Sequence, residues 1–592
     1  MNKNTKSNEL NYRKKNRIKA ARTVMQVIIL LAFSVLLIKA LFGIKSYEQP
    51  DKTQWTNKNG FIALSYFGVG RSGTSKLIAK NELDKQLGTL YKLGYKTISQ
   101  QDVLDFYNEG KPLPEKALFL TFEDGRNDSS LFAQPILEKY NYKATMLSYA
   151  DRFEEKDFKF LQPKDLLKLK KSGFWELGTN GYRLSYINIF DRNNNYIGMK
   201  SEAEFKDKDN AVYYDHYLMD FIRDEDMIPI ENKKDMEARI NWDYMKMEEV
   251  YNEKLGFMPQ VYMIMHANSL YNGMNRLVED VNSKNIQQKF KIHFNREGVS
   301  YNKGNGNLYD LTRLQPKAYW YTNHLLMKIN KDTSQNLPFV IGDENRKDKW
   351  EVIKGAAEFI GNRIVLTSPV EDNGLLYLKD SNDYNNINIT TRIGGNVIGR
   401  QGIFLRYDRE KNSFINIAFQ DNEVIVEEKA PMKEKKQIYS CKLKDIEIND
   451  ESGLTQDKDV SSTYTKMQIN DSKEANDKII DIRKDRDIKI ILNKNKLEIW
   501  MNKFLIAKDI PIDDNITTGG VALESRYSEI NKKDRIYDGV FDDLKIQEII
   551  EEKNGNSEMP ILFYNGYSKS EKITRDIKIF FNSLVDWAIE TF

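Results

Sequence analysis

The feature that most constrains this chain is one stretch, Ala117-Leu118-Phe119-Leu120-Thr121-Phe122-Glu123-Asp124-Gly125-Arg126-Asn127-Asp128. A short apolar run ends in two adjacent carboxylates, a glycine and then a third acid. Such a run bounded by a turn signal predicts a buried strand. Acids at the carboxyl end of a buried strand sit where α/β proteins build their sites. An Asp-Gly turn with solvated acids is the competing reading of the stretch taken alone. The residues that follow favour the strand. Residues 129–140 carry helical spacing (Leu131, Ile136, Leu137, Tyr140), and Lys143-Ala144-Thr145-Met146-Leu147 predicts the next strand.

This strand–acid–helix–strand unit resembles the first signature of the NodB-type polysaccharide deacetylases, T-F-D-D-G followed by a helix and a K-A-T-F-F-like strand. Phe61-Ile62-Ala63-Leu64-Ser65-Tyr66 resembles the family's first strand, and Leu93-Gly94-Tyr95-Lys96-Thr97 its helix-to-strand turn. Trp175-Glu176-Leu177-Gly178-Thr179-Asn180-Gly181-Tyr182-Arg183-Leu184 matches the frame of the second signature, and Leu311-Thr312-Arg313-Leu314 a late strand. The resemblance covers roughly residues 58 to 325. It implies a distorted β/α barrel acting on polysaccharide.

The chemistry departs from the pattern. Glu123 stands where the family has its general base, and Asp124 keeps the position of the metal-binding Asp. Asn180 and Leu184 replace the two histidines that hold a divalent metal in that family. An amide is a poor zinc ligand and leucine is none, so no metal and no cofactor are expected. Only His216, His266, His293 and His324 exist in the chain, and no two are close in sequence.

Glu123 and Asp124 are then the expected catalytic residues. Substrate contacts are expected from Asp128, Glu176, Asn180, Tyr182, His266 and Arg313. Two functions stay open: a diverged carbohydrate hydrolase working without the usual metal, or a non-catalytic glycan-binding or scaffolding protein of an envelope polysaccharide machinery. Adjacent carboxylates point in different directions, so Glu123 and Asp124 cannot alone form a glycosidase dyad. A partner such as Glu176 or Asp224 would have to converge.

Around this region the chain divides readily. Residues 1–23 form a basic tail, and 24–44 an apolar run of about 21 residues, long enough to span a bilayer. The expectation is a single-pass anchor in the cell membrane, amino terminus cytoplasmic and the bulk extracellular. A cleaved signal peptide competes with it. Residues 45–59 read as a stalk, 60–332 as the barrel, and 338–555 as a β-sandwich of short alternating strands. That sandwich resembles concanavalin/laminin-G-like jelly rolls. Residues 430–476 predict a charged protruding loop, and 560–592 a strand and a helix that returns to the barrel. Within the insertion-like segment 186–255, helices are predicted from Tyr213 and over 235–254.

With 90 basic and 87 acidic residues, charge is nearly balanced, and no concentrated basic face suggests nucleic acid. The single cysteine, Cys441, excludes an internal disulfide.

Overall fold

The structure is a computed structural model describing residues 16–17, 19–27, 30, 45–153, 157–191, 193–205, 211–265, 268, 270–271, 273–443, 484–531, 534–551, 557–567, 571–577 and 579–580. Its first unit is a nearly closed sheet. In chain order the main parallel strands are β1 (Gly60–Tyr66), β2 (Ala117–Phe122), β3 (Ala144–Tyr149), β4 (Trp175–Gly181), β5 (Val261–Met263), β6 (Ile292–Glu297) and β7 (Leu311–Arg313). They neighbour one another in that order, with the short strand Tyr301–Lys303 paired antiparallel to β1. The ring is drawn together where Ser65 N–H donates to the Leu314 carbonyl at 2.9 Å and Leu314 N–H to the Ala63 carbonyl at 3.0 Å.

Strand parity decides what lies inside, because successive side chains point to opposite faces. Phe61, Ala63, Phe119, Val261, Met263, Ile292, Phe294 and Leu311 share one core cluster. Ile62, Leu64, Tyr66, Leu118, Leu120 and Phe122 belong to the other, which packs under helices such as Lys80–Lys92 and Asn127–Tyr140. Ser65 and Glu123 continue the first parity, so both point inward at the carboxyl ends of their strands.

Between β4 and β5 an antiparallel sheet is inserted: Tyr196–Ser201, Ser185–Asp191 and Ala211–His216, with the second in the middle. The helix predicted from Tyr213 is corrected to this third strand, where Tyr213 and Asp215 alternate with Tyr214 and His216. The helix predicted over 235–254 is observed as Lys233–Leu255, capped by Asn232 and ended by Gly256 in a left-handed conformation.

Two further antiparallel sheets follow and share one apolar core. One has seven strands, in the order Trp350–Lys354, Asn373–Leu378, Gly520–Arg526, Arg400–Asp408, Ser413–Gln420, Glu423–Lys429 and Lys436–Lys442. The other is built around Asp538–Glu548, which also pairs with Ile561–Tyr564. The region contacts the barrel through Thr322–Thr333. There His324, stacked on Trp320 at 4.3 Å, meets Asp538 through Nδ1 at 3.0 Å and Asp534 through Nε2 at 3.1 Å. Lys85 pairs with the buried Glu358 at 2.6 Å. Most of the charged loop expected at 430–476 lies outside the described residues.

The membrane anchor expected over 24–44, and the single-pass topology built on it, is corrected. Among the described residues no helix is long and apolar enough to cross a membrane. The described helical residues there are 16–17, 19–27 and 30 and include Lys19 and Arg22, whereas a span needs about 20 apolar residues. Residues 31–44 lie outside the described residues.

Candidate active site

At the carboxyl end of β2 the two adjacent acids go separate ways. Glu123 turns into the barrel and is 2% exposed. Ser65 Oγ donates to its Oε1 at 2.6 Å, and Gln315 Nε2 to its Oε2 at 3.1 Å. Arg313 Nε lies 3.5 Å from Oε1, close enough for charge attraction but too long for a good hydrogen bond. A buried carboxylate costs several kcal/mol unless paired and hydrogen-bonded, and these three groups supply the pairing. Arg313 also reaches Glu297 at 3.5 Å and the Arg296 carbonyl at 3.4 Å.

Asp124 lies on the turn that follows, with φ +64°. That conformation is uncommon for a residue other than glycine, tolerated by Asp, and typical of functional turns. Its N–H donates to Asn180 Oδ1 at 3.1 Å. Its own Oδ1 is buried without a hydrogen-bond partner, as is the Tyr149 hydroxyl at the end of β3. Burial, then the neighbouring Glu123, pushes the Asp124 carboxyl up to about 7, against the opposing pull of Arg126.

Asn180 has both amide functions engaged. While Oδ1 accepts from Asp124, Nδ2 donates to the Met263 carbonyl at 3.1 Å, tying β2, β4 and β5 together. Leu184 packs among Tyr149, Tyr186, Ile189, Phe205 and Ala211. The inserted sheet therefore rests against the carboxyl ends of β3 and β4. Among the described residues, no three His, Cys, Asp or Glu side chains converge to hold a metal ion.

The remaining expected residues divide. Tyr182 stands at this end of β4, its ring edge-on to Trp242 at 5.8 Å, with Trp242 43% exposed. Asp128 lies in the first turn of the following helix, forked by Arg126 at 2.8 and 3.1 Å and bonded to Ser129 N–H, so its carboxylate is held at that helix start. Glu176 lies near the start of β4, some four residues (about 13 Å) from Asn180, and accepts from Gln100 N–H at the foot of a helix. His266 lies outside the described residues, and Asp224 accepts from Asp226 and Ile228 N–H in an exposed turn.

Sequence reasoning missed Ser65 and Gln315, whose signal was parity with Glu123 and nearness to Arg313. It also missed a cluster beside Tyr182. Arg183 lies over the Tyr217 ring at 4.4 Å and the Trp242 ring at 5.5 Å, held by the buried Asp243 at 3.1 Å. Burial, opposed by Arg183, pushes the Asp243 carboxyl up to about 6.

Residues 110–259 match the polysaccharide deacetylase family. Together with the barrel and its two signature positions, that match means the chain carries a polysaccharide deacetylase domain of NodB type. Among named relatives, the poly-beta-1,6-N-acetyl-D-glucosamine N-deacetylase of Escherichia coli K12 is 26% identical over 224 residues, 36% of this chain and 31% of that protein. The chain thus spans about a third of that relative's length. The enzyme of the same name from Staphylococcus aureus MRSA252 is 22% identical over 247 residues, 35% of this chain and 82% of its own. The BpsB deacetylase domain of Bordetella bronchiseptica is a structural neighbour at 17% identity, covering 45% of this chain and 98% of its own, with a TM-score of 0.34.

Proposed function

We propose that the deacetylase-type domain binds a polysaccharide of N-acetylated hexosamines, the class named in its relatives, without removing acetyl groups by the metal-dependent route. The observation that carries this reading is the Asn180 amide, joined to Asp124 N–H on one side and the Met263 carbonyl on the other. Position 180 offers no free donor to a cation, position 184 offers only carbon, and Asp124 alone would leave an ion largely hydrated and weakly held. Among the described residues, the set at this site does not fit a divalent metal. Glu123, at the position of the family's base, has both carboxylate oxygens engaged inside the barrel, out of reach of a substrate. What the mouth does offer is a sugar-binding surface: the exposed Trp242, seated edge-on against the buried Tyr182, for stacking, with Arg183 and the carboxyl of Asp124 for hydroxyls and amides.

One observation favours a second reading, a hydrolase that works without metal. An Asp124 carboxyl raised to about 7 is suited to act as a general acid near neutral pH. That chemistry needs a second carboxylate roughly 5 to 10 Å away and facing the substrate, and Glu123 faces inward.

The test is to incubate the purified full-length chain with oligomers of β-1,6-linked N-acetylglucosamine. Binding is read by calorimetry and any product by mass spectrometry. Binding of intact, fully acetylated oligomer supports the proposal. Release of acetate contradicts it, and cleaved glycosidic bonds support the second reading.

A further inference from the structure

The seven-stranded sheet of the second region presents its outer face away from the shared apolar core. On that face Arg400 and Arg526 are direct register partners on antiparallel strands. Side chains so opposed stand about 4.5–5.5 Å apart at Cβ, and like charges there are destabilising unless something neutralises them.

Arg400 is neutralised within the protein. Its Nε donates to Glu524 Oε2 at 2.9 Å, its second terminal nitrogen to Glu427, and its first to Gln420 Oε1 at 2.8 Å. Arg526 is not. It is exposed, and its guanidinium makes no hydrogen bond or ion pair among the described residues. Asp372, an acid near enough to feel its charge, is already paired with Lys354 at 2.5 Å.

The two guanidiniums line a cavity of about 340 Å³ with Gln420, Asp421, Tyr527 and Ser528. Asp421 is engaged by Ser528 Oγ at 3.1 Å and Gly399 N–H at 3.1 Å, and Glu529 stands exposed at the rim. The wall therefore holds one guanidinium with no direct ion pair among the described residues, beside Tyr527.

We propose that this cavity binds a saccharide carrying an acidic group, its carboxylate or phosphate seated on Arg526 and its ring against Tyr527. Arg is the side chain suited to take such an oxyanion bidentately. The inference is independent of the barrel's ligand.

The test is calorimetric titration of the full-length chain with an oligogalacturonate, glucose 6-phosphate, neutral N-acetylchitohexaose and inorganic phosphate. Binding of at least one acidic sugar, weakened by added salt, is expected, with the other two ligands at least tenfold weaker. Which acidic sugar binds distinguishes carboxylate from phosphate. Arg526→Gln should weaken that binding at least tenfold and Arg526→Lys less. Arg526 is exposed, so both variants should melt like the parent, and the barrel variant Trp242→Ala should leave the affinity unchanged. The proposal is overturned if neither acidic sugar binds, if Arg526→Gln binds like the parent, or if inorganic phosphate or the neutral oligomer binds as tightly.

Discussion

Asp124 and Asn180 are joined main chain to side chain: the Asp124 N–H donates to Asn180 Oδ1 at 3.1 Å, while Asn180 Nδ2 donates to the Met263 carbonyl. In the family pattern these two positions share a metal. Here they brace three strand ends. Truncation by Asn180→Ala removes both hydrogen bonds and leaves a buried N–H and a buried carbonyl unpaired. At about 1–3 kcal/mol for each orphaned group, urea unfolding should lose roughly 2–6 kcal/mol. A loss below about 0.5 kcal/mol would show that the bridge is dispensable.

Glu123→Gln keeps the shape and removes the charge beside Arg313. The variant should lose stability, on the order of 2 kcal/mol, because a buried guanidinium loses its nearest carboxylate. Binding of N-acetylated oligosaccharide should stay within about twofold. A loss of binding with unchanged stability would reassign Glu123 to the ligand.

Trp242→Ala tests the mouth. Removing a half-exposed ring that stacks on a sugar should weaken oligosaccharide binding about tenfold, equivalent to about 1.4 kcal/mol. The melting temperature should change little, since 43% of Trp242 is already exposed. Unaltered affinity in the titration would move the ligand elsewhere.

The contact of His324 with Asp534 and Asp538 makes stability depend on pH. Burial alone would lower the imidazole, but the two carboxylates outweigh it and raise it to about 9. A group raised in the folded state stabilises fully below its unfolded value of about 6.5, and loses that contribution as pH climbs through about 9. At most about 3 kcal/mol is at stake. Urea midpoints of the parent should fall between pH 7 and 10, and those of His324→Gln should fall less over that window. Parallel curves would contradict this.

How much of this was legible in the sequence follows from the range of each interaction. The strand, the acids and the following helix were readable because they are local, spanning residues 117–140. The separation of Glu123 from Asp124 was readable from parity. The partners of Glu123 were not, because Ser65 and Gln315 lie 58 and 192 residues away and only barrel closure brings them in. Glu176 was misplaced although strand direction puts it at the far end of β4 from Asn180. The helix predicted from Tyr213 failed because an aromatic-rich segment of period two was given the wrong period. Leu184 was readable as a departure from the family pattern, but not that an inserted sheet packs on it.

The central claim is that this deacetylase-type domain does not hold the cation its family pattern is built around. The most direct measurement is zinc titration of the chelator-treated full-length chain by calorimetry, with metal content of the untreated protein read by mass spectrometry. The account predicts less than about 0.1 zinc per chain as purified, and no binding event tighter than the millimolar range that a single carboxylate supports. One zinc per chain, or a stoichiometric micromolar site that Asp124→Asn abolishes, would contradict it.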